Sequence, residues 1–142
     1  MSTKSFSTSV SKWTKMAKAM PDEIFQEFLR LVYVELMEAI PERTGNLKRS
    51  VIVTKDGMRA VDSAEPGKQY TDITAENLAT IESAQMGDTV FISVQAPYGP
   101  KINYGHSKDA ANVPGRFFIE TTRHKFRALQ QQAIKTVKAR YQ

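Results

Sequence analysis

The stretch PDEIFQEFLRLVYVELMEAIPERTGNLKRSVIVTKDG, residues 21–57, decides the fold. Ile24, Phe25, Phe28, Leu29, Val32, Leu36 and Ile40 recur at helical spacing and give a wide apolar face. Pro21 suits the first turn of that helix, where its missing N–H has no partner to lose, and Asp22 and Glu23 complement the positive end of the dipole. Pro41 ends the helix after about five turns. Thr44, Gly45 and Asn46 then form a turn signal, Ser50 to Lys55 alternate as a strand, and Asp56-Gly57 closes the strand. A core helix is thus turned into a sheet within a few residues.

Toward the N-terminus, Phe6, Val10, Trp13, Ala17 and Met20 share one helical stripe, while Lys4, Lys12, Lys15 and Lys18 lie off it. This predicts a short, separate amphipathic helix over residues 1–20, docked on its own core or on a neighbouring subunit. Toward the C-terminus, residues 57–73 are polar and irregular with a loop at Pro66-Gly67, and 74–84 read as a helix through Leu78 and Ile81. Val90, Ile92 and Val94 alternate with Thr89, Phe91, Ser93 and Gln95 as a strand with one apolar face. It leads into a long loop, residues 96–118, with three prolines, three glycines and two tyrosines. Phe118, Thr122, Phe126, Leu129, Ala133, Val137 and Tyr141 then predict one long C-terminal helix over 117–141. The expected fold class is α+β, a small antiparallel or mixed β-sheet against a long central helix with helices at both ends. The 142 residues form one domain: the N-terminal helix, then a body over 21–142 whose segment 57–88 is variable.

A chain of this size, 41% apolar, buries roughly 68% of its unfolded surface and folds without staples. There is no cysteine, which excludes disulfides, thiolate zinc sites and cysteine nucleophiles and suits a reducing cytoplasm. No run approaches the roughly 18 apolar residues of a membrane span, and the N-terminus lacks a signal-peptide core, so a soluble protein without membrane association is expected. The net charge of +5 is unevenly placed. Residues 1–19 carry four lysines and no acid, residues 20–115 nine basic and 14 acidic residues, and residues 116–142 seven basic residues and one acid. Basic ends around an acidic middle suit head-to-tail packing of identical subunits or an approach to nucleic acid.

No catalytic constellation emerges. His106, Ser107 and Asp109 are too close in sequence for a triad, and no G-x-S-x-G elbow surrounds the serine. His106 and His124 lack the spacing of a metal site, and TGNLKRS lacks the phosphate-loop spacing. No enzyme activity, metal or cofactor is expected. Arg116, Arg123, Lys125, Arg127, Lys135, Lys138 and Arg140 supply charge for phosphate contacts, and Tyr98 and Tyr104 are suited to stacking on bases. The basic residues do not fall on one stripe, however, and no reading motif accompanies them.

Several short motifs, in order along the chain, carry a resemblance. A helix with Trp13 precedes a long helix ending in a Pro41–x–x–Thr44–Gly45 turn, followed by Leu47 and Arg49; Gly-Asp-Thr-Val enters a strand at 87–90. Ala96-Pro97-Tyr98, then Tyr104-Gly105-His106-Ser107, then Pro114-Gly115 complete the set. With these, the chain resembles the head–tail joining, or tail-completion (neck), family of long-tailed bacteriophages over nearly its whole length. It departs from the family pattern at Asn103, where members have an acid, at Gly99, where they have alanine, in the loosened DAANVPG, and in Pro-Glu-Arg-Thr-Gly for Pro-Val-Asp-Thr-Gly.

The resemblance implies a virion structural protein, made in the host cytoplasm, that assembles as a homo-oligomeric, six-fold ring at the head–tail junction and does no chemistry. Its partners would be copies of itself and other neck, connector and tail-terminator proteins. Pro41, Thr44 and Gly45 would set the structural turn. Pro97, Tyr98, Tyr104, Gly105, His106, Ser107, Pro114 and Gly115 would form a subunit-contact loop, with prolines and glycines fixing its path and tyrosines burying area at little entropy cost. Arg123, Lys125, Arg127, Lys135, Lys138 and Arg140 would make loose contact with passing DNA. Two alternatives stand beside it: a nucleic-acid-binding accessory protein using the basic C-terminal helix, and a hydrolase built on His106 and Ser107.

Overall fold

The computed structural model describes residues 3–42, 45–58, 68–108 and 111–141; for 3–17, 106–108 and 111–114 it describes the backbone. The elements are α1 (Thr3–Ala39), α2 (Asn46–Arg49), β1 (Val51–Thr54), α3 (Thr74–Glu82), β2 (Phe91–Val94), α4 (Gly99–Tyr104), β3 (Gly105–Lys108), β4 (Ala111–Pro114), α5 (Phe118–His124) and α6 (Phe126–Arg140). The chain is α+β, as its patterning predicts: β1 and β2 pair antiparallel with Val51 opposite Val94, and helices lie at both ends.

Leu29, Tyr33 and Leu36 of α1 and Ile40 just beyond it form one buried cluster with Leu47, Val51, Val53, Ile81 and Phe118. Full burial of each such aliphatic or aromatic side chain contributes about 1.5–3 kcal/mol. The core therefore sits between α1 and the β1–β2 pair, closed by α3 and α5. α6 runs back along α1, with Leu129, Ala133 and Val137 buried at one helical face. Polar contacts hold both ends of this packing. Lys125 pairs with Glu35 at the start, and at the end Arg140 pairs with Glu27 at 3.5 Å while the Tyr141 hydroxyl donates to Glu23 at 2.5 Å. That hydrogen bond is the main reason the Tyr141 phenol titrates above its usual value.

Three expectations are corrected. No helix boundary falls at Pro21: α1 runs unbroken through it for 37 residues, about 55 Å at 1.5 Å per residue. Proline removes one backbone hydrogen bond, a local cost of about 3 kcal/mol, and the preceding Lys-Met-Ala-Lys-Ala-Met run is made of strong helix formers. The C-terminal helix is two helices, because Lys125 tightens into a turn with its N–H bonded to the Thr122 carbonyl and its ammonium drawn to Glu35. Residues 96–118 are not an extended loop but helix α4 followed by the β3–β4 hairpin, in which Gly105 lies opposite Pro114 and Lys108 opposite Ala111.

Three buried asparagines join the elements. Asn77 of α3 accepts the Val53 N–H and donates to the Val51 carbonyl and the Tyr33 hydroxyl, so its amide occupies the edge of β1 that β2 leaves open. Asn46 accepts the Tyr70 N–H and donates to the Lys68 carbonyl and the Tyr98 hydroxyl, fixing residues 68–70 against the turn. Asn103 accepts the Ile119 N–H in the first turn of α5 and donates to Glu120 at 3.0 Å.

Candidate interaction surfaces

The turn motif works within the chain. Gly45 takes the left-handed backbone, φ 78°, that only glycine adopts freely, and this starts α2. Leu47 enters the core, and the Arg49 guanidinium donates to the Tyr70 carbonyl at 2.9 Å. Pro41 follows the end of α1 as expected, whereas Thr44 lies outside the described residues. Asn46, legible in the sequence only as part of the turn signal, proves to be a buried link to Lys68, Tyr70 and Tyr98.

The proposed contact segment divides in two. Its first part belongs to the subunit's own interior: Ala96 and Gly99 are buried, Pro97 and Tyr98 half-buried, and the Tyr98 hydroxyl accepts from Asn46 at 2.9 Å. Gly99 leaves room for Val94 and Leu47, which a Cβ would meet at 3.0 and 3.7 Å. Tyr98 thus acts within its own subunit as a core-side anchor, its ring packed on the core and its hydroxyl held by Asn46, as the half-apolar, half-polar character of tyrosine allows. The second part is bracketed by exposed aromatics. Tyr104 is 63% exposed, Phe117 is 49% exposed, and between them stands the hairpin, whose two strands pair with each other alone among the described strands.

The hairpin base is tightly specified. A Cβ on Gly115 would lie 2.7 Å from the Asn103 carbonyl oxygen and 2.9 Å from the Gly105 nitrogen, both backbone atoms that cannot move aside. Arg116 and Phe117 donate their N–H groups to the Ile102 and Asn103 carbonyls, and Phe117 is held at φ 50°, a left-handed conformation that L side chains rarely take. An amide suits position 103, where it donates to Glu120 at 3.0 Å; a carboxylate there would face the carboxylate of Glu120. Burial raises the Glu120 pKa, but hydrogen bonds from its own N–H, from Asn103 and from Tyr104, with the charge of Arg123, outweigh it and lower the value. His106, Ser107 and Pro114 occupy strand positions on the hairpin, and Asp109 lies outside the described residues. Among the described residues no group of three metal-ligating side chains converges.

An apolar groove of about 490 Å³ opens between α1, β2 and α5. Phe25, Phe28, Val32, Val90, Ile92 and Ile119 line it, with Asp88 and Arg123 at its polar edge. Phe126 leans over one end, 41% exposed, its ring edge-on to Phe28 at 5.7 Å. The apolar face read along α1 is therefore only partly core: Leu29, Val32, Leu36 and Ile40 are buried, while Phe25 and Phe28 are half-exposed groove wall.

The six basic candidates also separate. Lys125 and Arg140 pair with Glu35 and Glu27, and Arg123 borders the groove. Arg127, Lys135 and Lys138 are exposed and, at 3.6 residues per turn, fall within an arc of about 80° on the side of α6 opposite Ala133. The basic residues as a set share no stripe, as expected, but these three share a face. Among the described residues, no helix is long and apolar enough to cross a membrane.

The fold and surfaces define a small α+β protein with exposed aromatic side chains, an apolar groove and a basic arc on α6. No protein-family model, curated protein or solved structure matches the chain.

Proposed function

We propose that this chain is a non-enzymatic virion structural protein that joins or completes a phage tail at the head–tail junction as a homo-oligomeric ring, six-fold by resemblance, through which DNA passes. The observation that supports it most is the hairpin arm between Tyr104 and Phe117. Exposed aromatics and a strained, exposed Phe117 contribute little to the monomer, and such features are enriched where a second protein surface buries them. Neck, connector and tail-terminator proteins are the further partners. The test is native mass across concentration with negative-stain imaging: a species near six times 16.0 kDa with a central hole is expected. In Tyr104→Ala that species should weaken while monomer unfolding stays unchanged; equal loss of both would make Tyr104 a folding residue and sink its interface role.

A second reading, a nucleic-acid-binding accessory protein, draws on the outward arc of Arg127, Lys135 and Lys138. It predicts affinity for duplex DNA that falls steeply with salt, because each neutralised phosphate releases counterions, and a slope that falls by about one for each of these residues replaced by alanine. Binding that ignores salt would remove it. The same arc suits a ring whose channel is lined by α6, so DNA affinity confined to the assembled species would favour the adaptor.

A further inference from the structure

We infer that the apolar groove between α1, β2 and α5 receives the N-terminal stripe Phe6, Val10, Trp13 of a second copy of this chain. The inference rests on the ring reading and names the contact that would build the ring. α1 is continuous through Pro21, so the stripe belongs to the same helix that supplies the groove wall at Phe25, Phe28 and Val32. Trp13 stands twelve residues before Phe25, about 18 Å along the axis, and a helix cannot lay its own earlier turns beside its later ones.

A second copy is the occupant whose chemistry the chain itself supplies. Phe6, Val10, Trp13 and Ala17 fall at i, i+4, i+7 and i+11, the anchor spacing of a helix seated in an apolar groove. The four lysines around the stripe carry the N-terminal charge of residues 1–19, and residues 20–115, which supply the α1 and β2 walls of the groove, have an acidic excess; at the groove edge itself Asp88, also paired with Lys55 at 3.9 Å, and Arg123 balance each other. Stripe and groove are different surfaces, so the contact is heterologous. Repeated from copy to copy, it closes into a ring when the rotation permits, and otherwise grows as a filament. Trp and Phe each bury about 150–250 Å² and dominate such contacts.

Trp13 is the single tryptophan, so its fluorescence reads the contact directly. In the full chain, emission should shift to the blue and acrylamide access should be lost as concentration drives assembly. Phe126→Asp, at an exposed groove position, should need about 30-fold or more protein to reach the same shift, the loss expected for one aromatic hot spot. Because the chain has no cysteine, Val10→Cys chains mixed with Thr89→Cys chains should form a disulfide between different chains under mild oxidation. Mixtures with Met58→Cys, exposed but not a groove residue, should not. Far-UV circular dichroism checks that each variant keeps its helices. A large species in which Trp13 stays exposed and the cross-link is absent would overturn the docking and leave the ring reading standing. Cross-linked pairs or filaments without closed rings would support the docking against the ring. A monomer with an exposed Trp13 at every concentration would overturn both.

Discussion

Tyr98 and Tyr104 lie six residues apart in one motif-rich segment, and the fold puts them to opposite uses. Tyr98 packs on the core and takes a hydrogen bond from buried Asn46, whereas Tyr104 stands 63% exposed at the foot of a two-stranded arm. The helical turn of α4 between them separates inside from outside. Similar short motifs in one chain are therefore not one surface: Ala96, Tyr98 and Gly99 pack within the subunit, whereas Tyr104 and Phe117 stand exposed.

Breaking the inner half should have the largest effect. Tyr98→Ala removes ring packing and leaves the Asn46 amide short of an acceptor, a loss of about 3 kcal/mol in unfolding free energy by urea titration. Retained stability would show that the ring is not an anchor. Gly115→Ala attacks the base of the arm from the other side. Its methyl meets fixed backbone of Asn103 and Gly105, so about 2 kcal/mol should be lost, together with hydrogen-exchange protection at Arg116 and Phe117.

A smaller effect sharpens the contrast with the body alone. Glu27 is buried at the α1–α6 contact, and a hydrogen bond from Arg30 is the first cause that holds its carboxyl below the ordinary value of 4.5; burial opposes, and the charges of Arg30 and Arg140 assist. The unfolded state therefore takes up this proton first. The stabilisation is complete above about pH 5 and is lost as pH falls through the lowered folded value. Glu27→Gln should cost about 1 kcal/mol at neutral pH, and its unfolding curve should converge with the parent's in acid. A constant gap across pH would mean that the side chain matters through packing.

Smallest for folding is Tyr104→Ala, within about 0.5 kcal/mol of the parent because the ring is exposed. Its effect should appear in assembly alone. A folding loss comparable to that of Tyr98→Ala would erase the distinction between the two halves of the segment.

Much of the architecture was legible from local patterning. The period of α1 after Pro21, the alternation of β1 and β2, the helix at 74–84 and the apolar stripe of the C-terminal segment all appear as elements, because each repeats a short-range rule. The turn glycine was legible for the same reason. Less legible were the helix through Pro21 and the break at Lys125. At Pro21 the cost of one lost backbone hydrogen bond is outweighed by the helix formers before it, and at Lys125 the local helical preference meets a partner far away in sequence, Glu35, 90 residues from it.

The sequence by itself determined the α+β class, the existence of the main helices and strands, the absence of cysteine chemistry and the concentration of basic charge at the two ends, since composition and periodicity are properties of neighbours. Only the tertiary structure decided which polar side chains hold the fold and which aromatic ones remain outside. Asn77 closes the edge of β1, Asn103 joins α4 to α5, Tyr98 turns inward and Tyr104 outward, and the apolar face of α1 divides between core and groove. Each outcome depends on which groups meet across long loops, where a buried amide with all its partners is favourable and one without them is costly.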